Sequence, residues 1–231
     1  KIITVRPALV TLGTAGSTAR QLQGLALKNI QVNIWMDGNK VGDIFGEMLF
    51  THFGVSGPII LTISRSIVDA LMEGKKVTLR IDLKPALDHP TLDERLLRDI
   101  QEMNRKQYKT FLKELLPRKM IPLCIQETGI PADKPVHQIT SDERKSLRMW
   151  LKEFELEVTG NRGLDQAIVT AGGVDTREID PHTMESRLIQ GLYFAGEILD
   201  VDGDTGGYNL QAAFSTGWAA GRASAQAPGK D

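Results

Sequence analysis

Residues 25–36 alternate with a period of two. Ile30, Val32, Ile34 and Met36 fall on one side and Asn29, Gln31 and Asn33 on the other, the pattern of a strand with one buried face. Asp37-Gly38 follows at once, a pair suited to a two-residue hairpin turn whose central residues need positive φ. A hairpin with one apolar face is not stable alone and must be covered by further strands or helices. Residues 41–45 are the expected partner strand and residues 46–53 a third. Val77, Leu79 and Ile81 mark another strand within residues 76–83. Together these predict an antiparallel meander, sheet or small barrel. Residues 1–12 read as a strand interrupted by Pro7, and residues 13–17 as a flexible turn. Residues 154–159 and 166–170 read as returning strands, followed by a glycine turn at Ala171-Gly172-Gly173-Val174 and a polar, loop-like stretch over residues 176–188.

Helical spacing interrupts this pattern twice. Ser56-Gly57-Pro58 predicts a helix start, with Ile60, Ile63, Ile67 and Leu71 as its buried stripe and Gly74 as its stop. From Pro90 the period changes for a longer run. Thr91-Leu92-Asp93-Glu94 reads as a capping box, and Leu96, Ile100 and Met103 follow at helical spacing. Tyr108, Phe111, Leu112, Leu115 and Leu116 form a second helix stopped by Pro117. A short third covers residues 120–125, and Ser141 caps a fourth carrying Leu147, Trp150, Leu151 and Phe154. The predicted class is α+β: a β-rich, barrel-like part over residues 1–89, a helical subdomain over 90–152, return strands over 153–190, and a strand-loop-helix over 191–231.

The 231 residues carry a formal net charge of -1. No basic excess points to nucleic acid, and no apolar run reaches the roughly 18 residues needed to span a membrane. The single cysteine, Cys124, excludes an internal disulfide framework and fits a reducing compartment; with no signal-peptide pattern, a cytoplasmic location is expected. The chain opens at Lys1 directly into a strand without a turn or cap before it, so we expect a segment upstream.

The candidate site lies near the C-terminus. Leu192-Tyr193-Phe194-Ala195 is an apolar run of strand length closed by Gly196 and Glu197. Gly206-Gly207-Tyr208-Asn209-Leu210 then opens a helix whose Leu210, Ala213, Phe214, Gly217 and Gly221 share one face. Two glycines before a helix let backbone N–H groups approach a ligand, and the helix N-terminus offers orphan donors and partial positive charge. A tightly packed helix start would need the same glycines. Asp200, Asp202 and Asp204 alternate in the connecting loop but lack the spacing of a calcium loop, so no metal is expected. Cys124 reads as an inert core thiol. His52 is the best placed of four histidines to approach a substrate, although a structural role at a strand-to-helix corner fits it better. No G-x-G-x-x-G, Walker A, C-x-x-C, H-E-x-x-H or G-x-S-x-G motif occurs.

Four ordered stretches carry a resemblance: Arg6-Pro7-Ala8-Leu9-Val10, Thr51-His52-Phe53-Gly54-Val55-Ser56-Gly57-Pro58, Thr170-Ala171-Gly172-Gly173-Val174, and the Gly191-to-Gly217 stretch. With them the chain resembles the YhiN/HI0933-like family of bacterial NAD(P)/FAD-dependent oxidoreductases over essentially its whole length. The resemblance implies a FAD-binding domain split in sequence, in which an N-terminal Rossmann segment precedes a β-rich insert and the chain then returns. This sequence matches the insert and the return. It implies that Gly196 and Glu197 lie beside the ribityl and pyrophosphate, and that Gly206, Gly207, Tyr208, Asn209 and Leu210 edge the isoalloxazine ring. It also implies a small-molecule substrate, NAD(P)H as a possible electron source, the missing Rossmann segment as partner, and weak or no FAD binding by this chain alone. No catalytic acid or base is identifiable. The alternative reading is a non-catalytic binding or scaffold domain with no cofactor of its own.

Overall fold

The computed structural model describes residues 1–226; the last five residues of the predicted 191–231 segment lie outside it. The chain forms two compact units. One, the barrel unit, comprises Gly13–Ile59 and Gly74–Thr159; the other, the sheet unit, comprises Lys1–Leu12, Ile60–Glu73 and the described residues from Gly160 onward.

In chain order the strands and helices are β1 (Ile2–Ala8), β2 (Leu12–Thr14), α1 (Thr18–Gln21), β3 (Ala26–Met36), β4 (Asn39–Phe50), β5 (Gly54–Ser56) and α2 (Pro58–Met72). There follow β6 (Val77–Asp82), α3 (His89–Glu102), α4 (Tyr108–Leu115), α5 (Ile121–Thr128), α6 (Ser141–Lys152), β7 (Phe154–Asn161), β8 (Val169–Val174) and α7 (Tyr208–Gln226).

The hairpin forms as its sequence requires. Met36 pairs with Asn39 across the turn, and Asp37 and Gly38 both have positive φ, 48° and 80°, the primed turn that matches strand twist. Strands in the order β2-β5-β4-β3-β6-β7 close into a barrel, which removes exposed strand edges. Alternate residues Ile30, Val32 and Ile34 of β3, Val77, Leu79 and Ile81 of β6, and Phe154, Leu156 and Val158 of β7 fill its interior. The two strands expected over 41–45 and 46–53 are one strand, β4. Gly46, at φ 154°, bends it where β3 carries an extra residue: the register jumps between Leu27 and Ile30, and Asn29 in that bulge takes φ 53°.

The four helices α3 to α6 belong to the barrel unit and bury Leu92, Leu96, Tyr108, Phe111, Leu112, Leu123 and Leu147. Two helix starts differ from expectation by a few residues. α3 is capped by Asp88, whose side chain accepts from Thr91 N at 2.8 Å, so Thr91 sits inside the first turn rather than at its cap. α6 is capped by Thr140, which forms the reciprocal capping box with Glu143. Cys124 is buried with its thiol pushed up to about 12 by burial, the environment of an unreactive thiol.

Phe154 joins the barrel to the helices. Its ring meets Phe50 edge-on with centroids 6.5 Å apart and Trp150 at 5.2 Å. Phe154→Ala therefore leaves a cavity between three packed elements, and the expected cost is about 3–5 kcal/mol, read as a lowered urea midpoint. A loss below about 1 kcal/mol, the size of an ordinary surface change, would show that the cavity collapses.

In the sheet unit β1 and β8 pair antiparallel. Ser64 of α2, fully buried, accepts from Val10 N at 3.1 Å and donates to Leu61 O at 2.7 Å. The predicted glycine turn at residues 171–174 is instead part of β8. Gly172 (φ 88°) and Gly173 (φ 128°) are in the ladder because other backbone passes over them: a Cβ at Gly172 would strike the Thr4 carbonyl, and one at Gly173 the Ile198 carbonyl. Close backbone approach is the physical reason for glycine inside a strand.

Candidate functional site

The stretch 191–196 does not extend a sheet. A strand needs a partner for its N–H and C=O groups, and among the described residues this one finds only scattered partners: Phe194 N donates to Met184 O at 3.0 Å, and Tyr193 bridges Glu185. Tyr193, Phe194 and Ala195 pack against a small core of Val174, Ile179, Met184, Leu199 and Ala220. From there the chain turns at Gly196 (φ 76°) and is tied back to β8. Asp200 Oδ1 accepts from Gly172 N at 3.0 Å, and Asp200 N donates to Val174 O at 3.0 Å.

The predicted site residues converge. Gly196, Glu197, Gly206, Gly207, Asn209 and Leu210 line one cavity of about 440 Å³, within the range of roughly 300–1,000 Å³ common for ligand sites. Ile168, Val169, Val201 and Ala213 supply apolar wall. Tyr208 is the exception: its side chain is exposed and folds back over Gly203 and Gly206, where added Cβ atoms would meet it at 3.3 and 3.4 Å.

Three side chains hold this architecture in place, and one of them was not foreseen. Asn209 spends its amide on the loop, accepting from Gly203 N and donating to Gly203 O, both at 2.8 Å, so it shapes the loop rather than reaching outward. Glu197 Oε1 accepts from Thr170 N at 2.6 Å and Thr170 Oγ1 at 2.9 Å, leaving its second oxygen for another donor. Thr216, missed in the sequence, accepts from Gly196 N at 3.0 Å while donating to Ala212 O at 2.7 Å. Its only sequence signal is its place one turn beyond Ala212 and Ala213 on the inward side of α7.

The face shared by Leu210, Ala213, Phe214, Gly217 and Gly221 is split, since of these only Ala213 turns inward. Asn209, Ala212, Ala213, Thr216, Ala219 and Ala220 turn inward, whereas Leu210, Phe214 and Trp218 are 64%, 70% and 66% exposed. Gly206 and Gly207 lie at φ 116° and 92°, and a Cβ at Gly207 or at Gly196 would meet nothing within 4 Å. Gly196 and Gly207 open space instead of accommodating neighbours. The first-turn N–H groups of α7 have no helical acceptor, and Gly206, Gly207, Asn209 and Leu210 at this end line the cavity. An apolar slot, open glycine backbone and a helix N-terminus suit a planar group that gains negative charge, as the ring of a flavin does.

His52 belongs to the barrel unit and is exposed, its ring edge-on to Phe53 at 4.6 Å. Of the three loop aspartates, Asp200 is used as above, Asp202 pairs with Arg65 at 2.9 Å, and Asp204 lines the cavity.

With this geometry in hand, the sequence comparisons decide the family. The model of the HI0933-like protein barrel and H2TH domain matches residues 6–169. The chain belongs to the HI0933-like family. A 3-dehydro-bile acid delta(4,6)-reductase from Clostridium scindens is 37% identical over 183 residues, 79% of this chain and 45% of that protein. A ribosomal RNA dihydrouridine synthase from Haemophilus influenzae is 36% identical over 194 residues, 84% of this chain and 46% of that protein. The same-named protein of Escherichia coli is 37% identical over 180 residues, 77% and 42% of the two chains. The chain thus spans less than half the length of the curated relatives it matches, and those relatives are redox enzymes. Among the described residues no helix is long and apolar enough to cross a membrane.

Proposed function

We propose that this chain supplies the ring-side half of a split FAD site in an oxidoreductase that reduces a carbon–carbon double bond conjugated to a carbonyl. The observation that carries the reading is the convergence of six predicted residues on one cavity, with open backbone at Gly196 and Gly207. The substrate class comes from chemistry shared by the names of the relatives. A 3-oxo bile acid with 4,6 unsaturation and the uracil ring of uridine both present a C=C in conjugation with a carbonyl.

In this reading each residue has a binding or positioning task. The α7 N-terminus and the Gly206-Gly207 backbone stabilise negative charge on the ring edge. The free oxygen of Glu197 accepts from a ribityl hydroxyl. Thr170 fixes that carboxylate, and Thr216 holds the Gly196 turn. When bound, flavin supplies hydride transfer, drawing electrons from NAD(P)H. The N-terminal Rossmann segment is the proposed cover for the outward face of α7, since Phe214 and Trp218 are costly to leave in water. A small core, open glycine turns and a half-paired 191–196 stretch also fit a unit completed by another segment. The single buried thiol suits a reducing cytoplasm.

The test is direct. The full-length protein is expected to purify yellow, with flavin absorbance, and to oxidise NADPH when given a 3-oxo-4-ene steroid or a uridine-containing RNA. The isolated chain is expected to bind FAD weakly or not at all. A colourless full-length protein that ignores added FAD sinks the cofactor assignment; a yellow one that reduces neither substrate sinks the substrate class.

A further inference from the structure

A second cavity lies wholly within the barrel unit and shares no residue with the flavin site. It measures about 550 Å³ and is bounded by the outer faces of β3 and β4, the loop after β6, and α3. Its chemistry is uneven. The loop gives apolar wall through Leu83, Pro85 and Leu87, β4 gives Phe45, and the cations are Lys84 and Arg95.

Three features point to a ligand instead of an ordinary surface groove. First, the bulge in β3 puts Asn29 in the left-handed region (φ 53°), and bulges re-aim side chains; here Asn29 lines the cavity. Second, Phe45 stands 61% exposed on the strand pair, directly opposite Gln31, an aromatic face left to water. Third, among the described residues the Lys84 ammonium has no acceptor while the nearby carboxylates are already engaged. Asp82 pairs with Lys152 at 2.5 Å, Asp99 with Arg95 at 3.4 Å, and Asp43 with Lys40 at 2.9 Å. Burial, with the Arg95 guanidinium second, holds Lys84 below the ordinary lysine range, as burial and a like charge do for any lysine without a paired anion.

We infer that this cavity binds a nucleoside phosphate, the phosphate held between Lys84 and Arg95 and the base stacked on Phe45 beside the Asn29 amide. A phosphate answers two adjacent cations, and an exposed aromatic ring offers stacking to any base. A free mononucleotide and one unit of an RNA strand share this chemistry. The near-neutral charge of the whole chain does not bear on it, because the cations concerned are local.

The experiment titrates adenosine 5′-monophosphate, adenosine, inorganic phosphate and a single-stranded oligoribonucleotide into the full chain and into two variants. Both variants change partly or largely exposed side chains, and wild-type melting confirms that they fold. Lys84→Met is expected to weaken binding of the monophosphate at least tenfold. Phe45→Ser is expected to weaken the monophosphate by about tenfold while leaving inorganic phosphate unchanged. An oligonucleotide that binds more tightly than the monophosphate, with the same dependence on Lys84, identifies RNA as the source; equal or weaker binding identifies the free nucleotide. No monophosphate binding, equal affinity for adenosine, or indifference to Lys84→Met overturns the site. None of these readouts involves flavin, so failure here is distinct from failure of the redox assignment.

Discussion

Gly207→Val in the full-length protein is expected to abolish flavin retention while the chain stays folded. The position has φ 92° and open space where the new side chain would go, so the substitution meets no neighbour of its own. It costs local backbone strain of about 1–3 kcal/mol at the start of α7, and the isopropyl group occupies the space proposed for the ring. Together these predict FAD affinity down about a hundredfold, each tenfold being about 1.4 kcal/mol. Flavin absorbance of the purified variant, beside its far-ultraviolet circular dichroism, reads both halves of the prediction. Wild-type flavin content would place the ring elsewhere. Loss of fold together with flavin would favour a packing role for this glycine.

Gly172→Ala is expected to do the opposite: unfold the sheet unit and spare the barrel. Here the added methyl has no room. It meets the Thr4 carbonyl and lies 2.9 Å from Val5 Cα, at a φ of 88° that alanine avoids. Relief requires β1 to move off β8, which breaks the ladder from Ile2–Val174 to Ala8–Val169 and the Asp200 tie to Gly172 N. The expected loss exceeds about 3 kcal/mol, in the range reserved for severe backbone lesions. Limited proteolysis is expected to cut first after residue 160, with the barrel fragment persisting. A variant with unchanged melting and no new cleavage would show that β1 yields cheaply. The two glycine pairs look alike in sequence, and only their surroundings differ: open space at Gly207, crossing backbone at Gly172 and Gly173.

That difference explains which parts of the fold were legible. The hairpin at Asp37-Gly38 was readable because turn chemistry and alternation are local and agree. The α+β class and the four helices of residues 90–152 were readable for the same reason. A barrel-like part was legible too, but not the strands that close it, β2 and β5, which at three residues each are too short to show a period. The caps of α3 and α6 were misplaced because several capping residues crowd each start and only geometry selects Asp88 and Thr140. The six predicted residues that line one cavity were picked out by the glycines among them. The inward face of α7 was not legible because periodicity identifies an apolar face without saying what covers it, and here the small Ala/Thr face packs inward.

The pairing of β1 with β8 also has a consequence for synthesis on the ribosome. The barrel unit is built almost entirely from residues lying between these two strands, so it can close while β1 still lacks its partner. At roughly 5–20 residues per second, β1 waits on the order of ten seconds or more for β8 to emerge. Through that interval Ile2, Ile3 and Val5 present an unpaired apolar edge, the kind of segment that nascent-chain chaperones hold. The barrel is therefore expected to become protease-resistant before β8 has emerged, and the β1–β8 pair only afterwards.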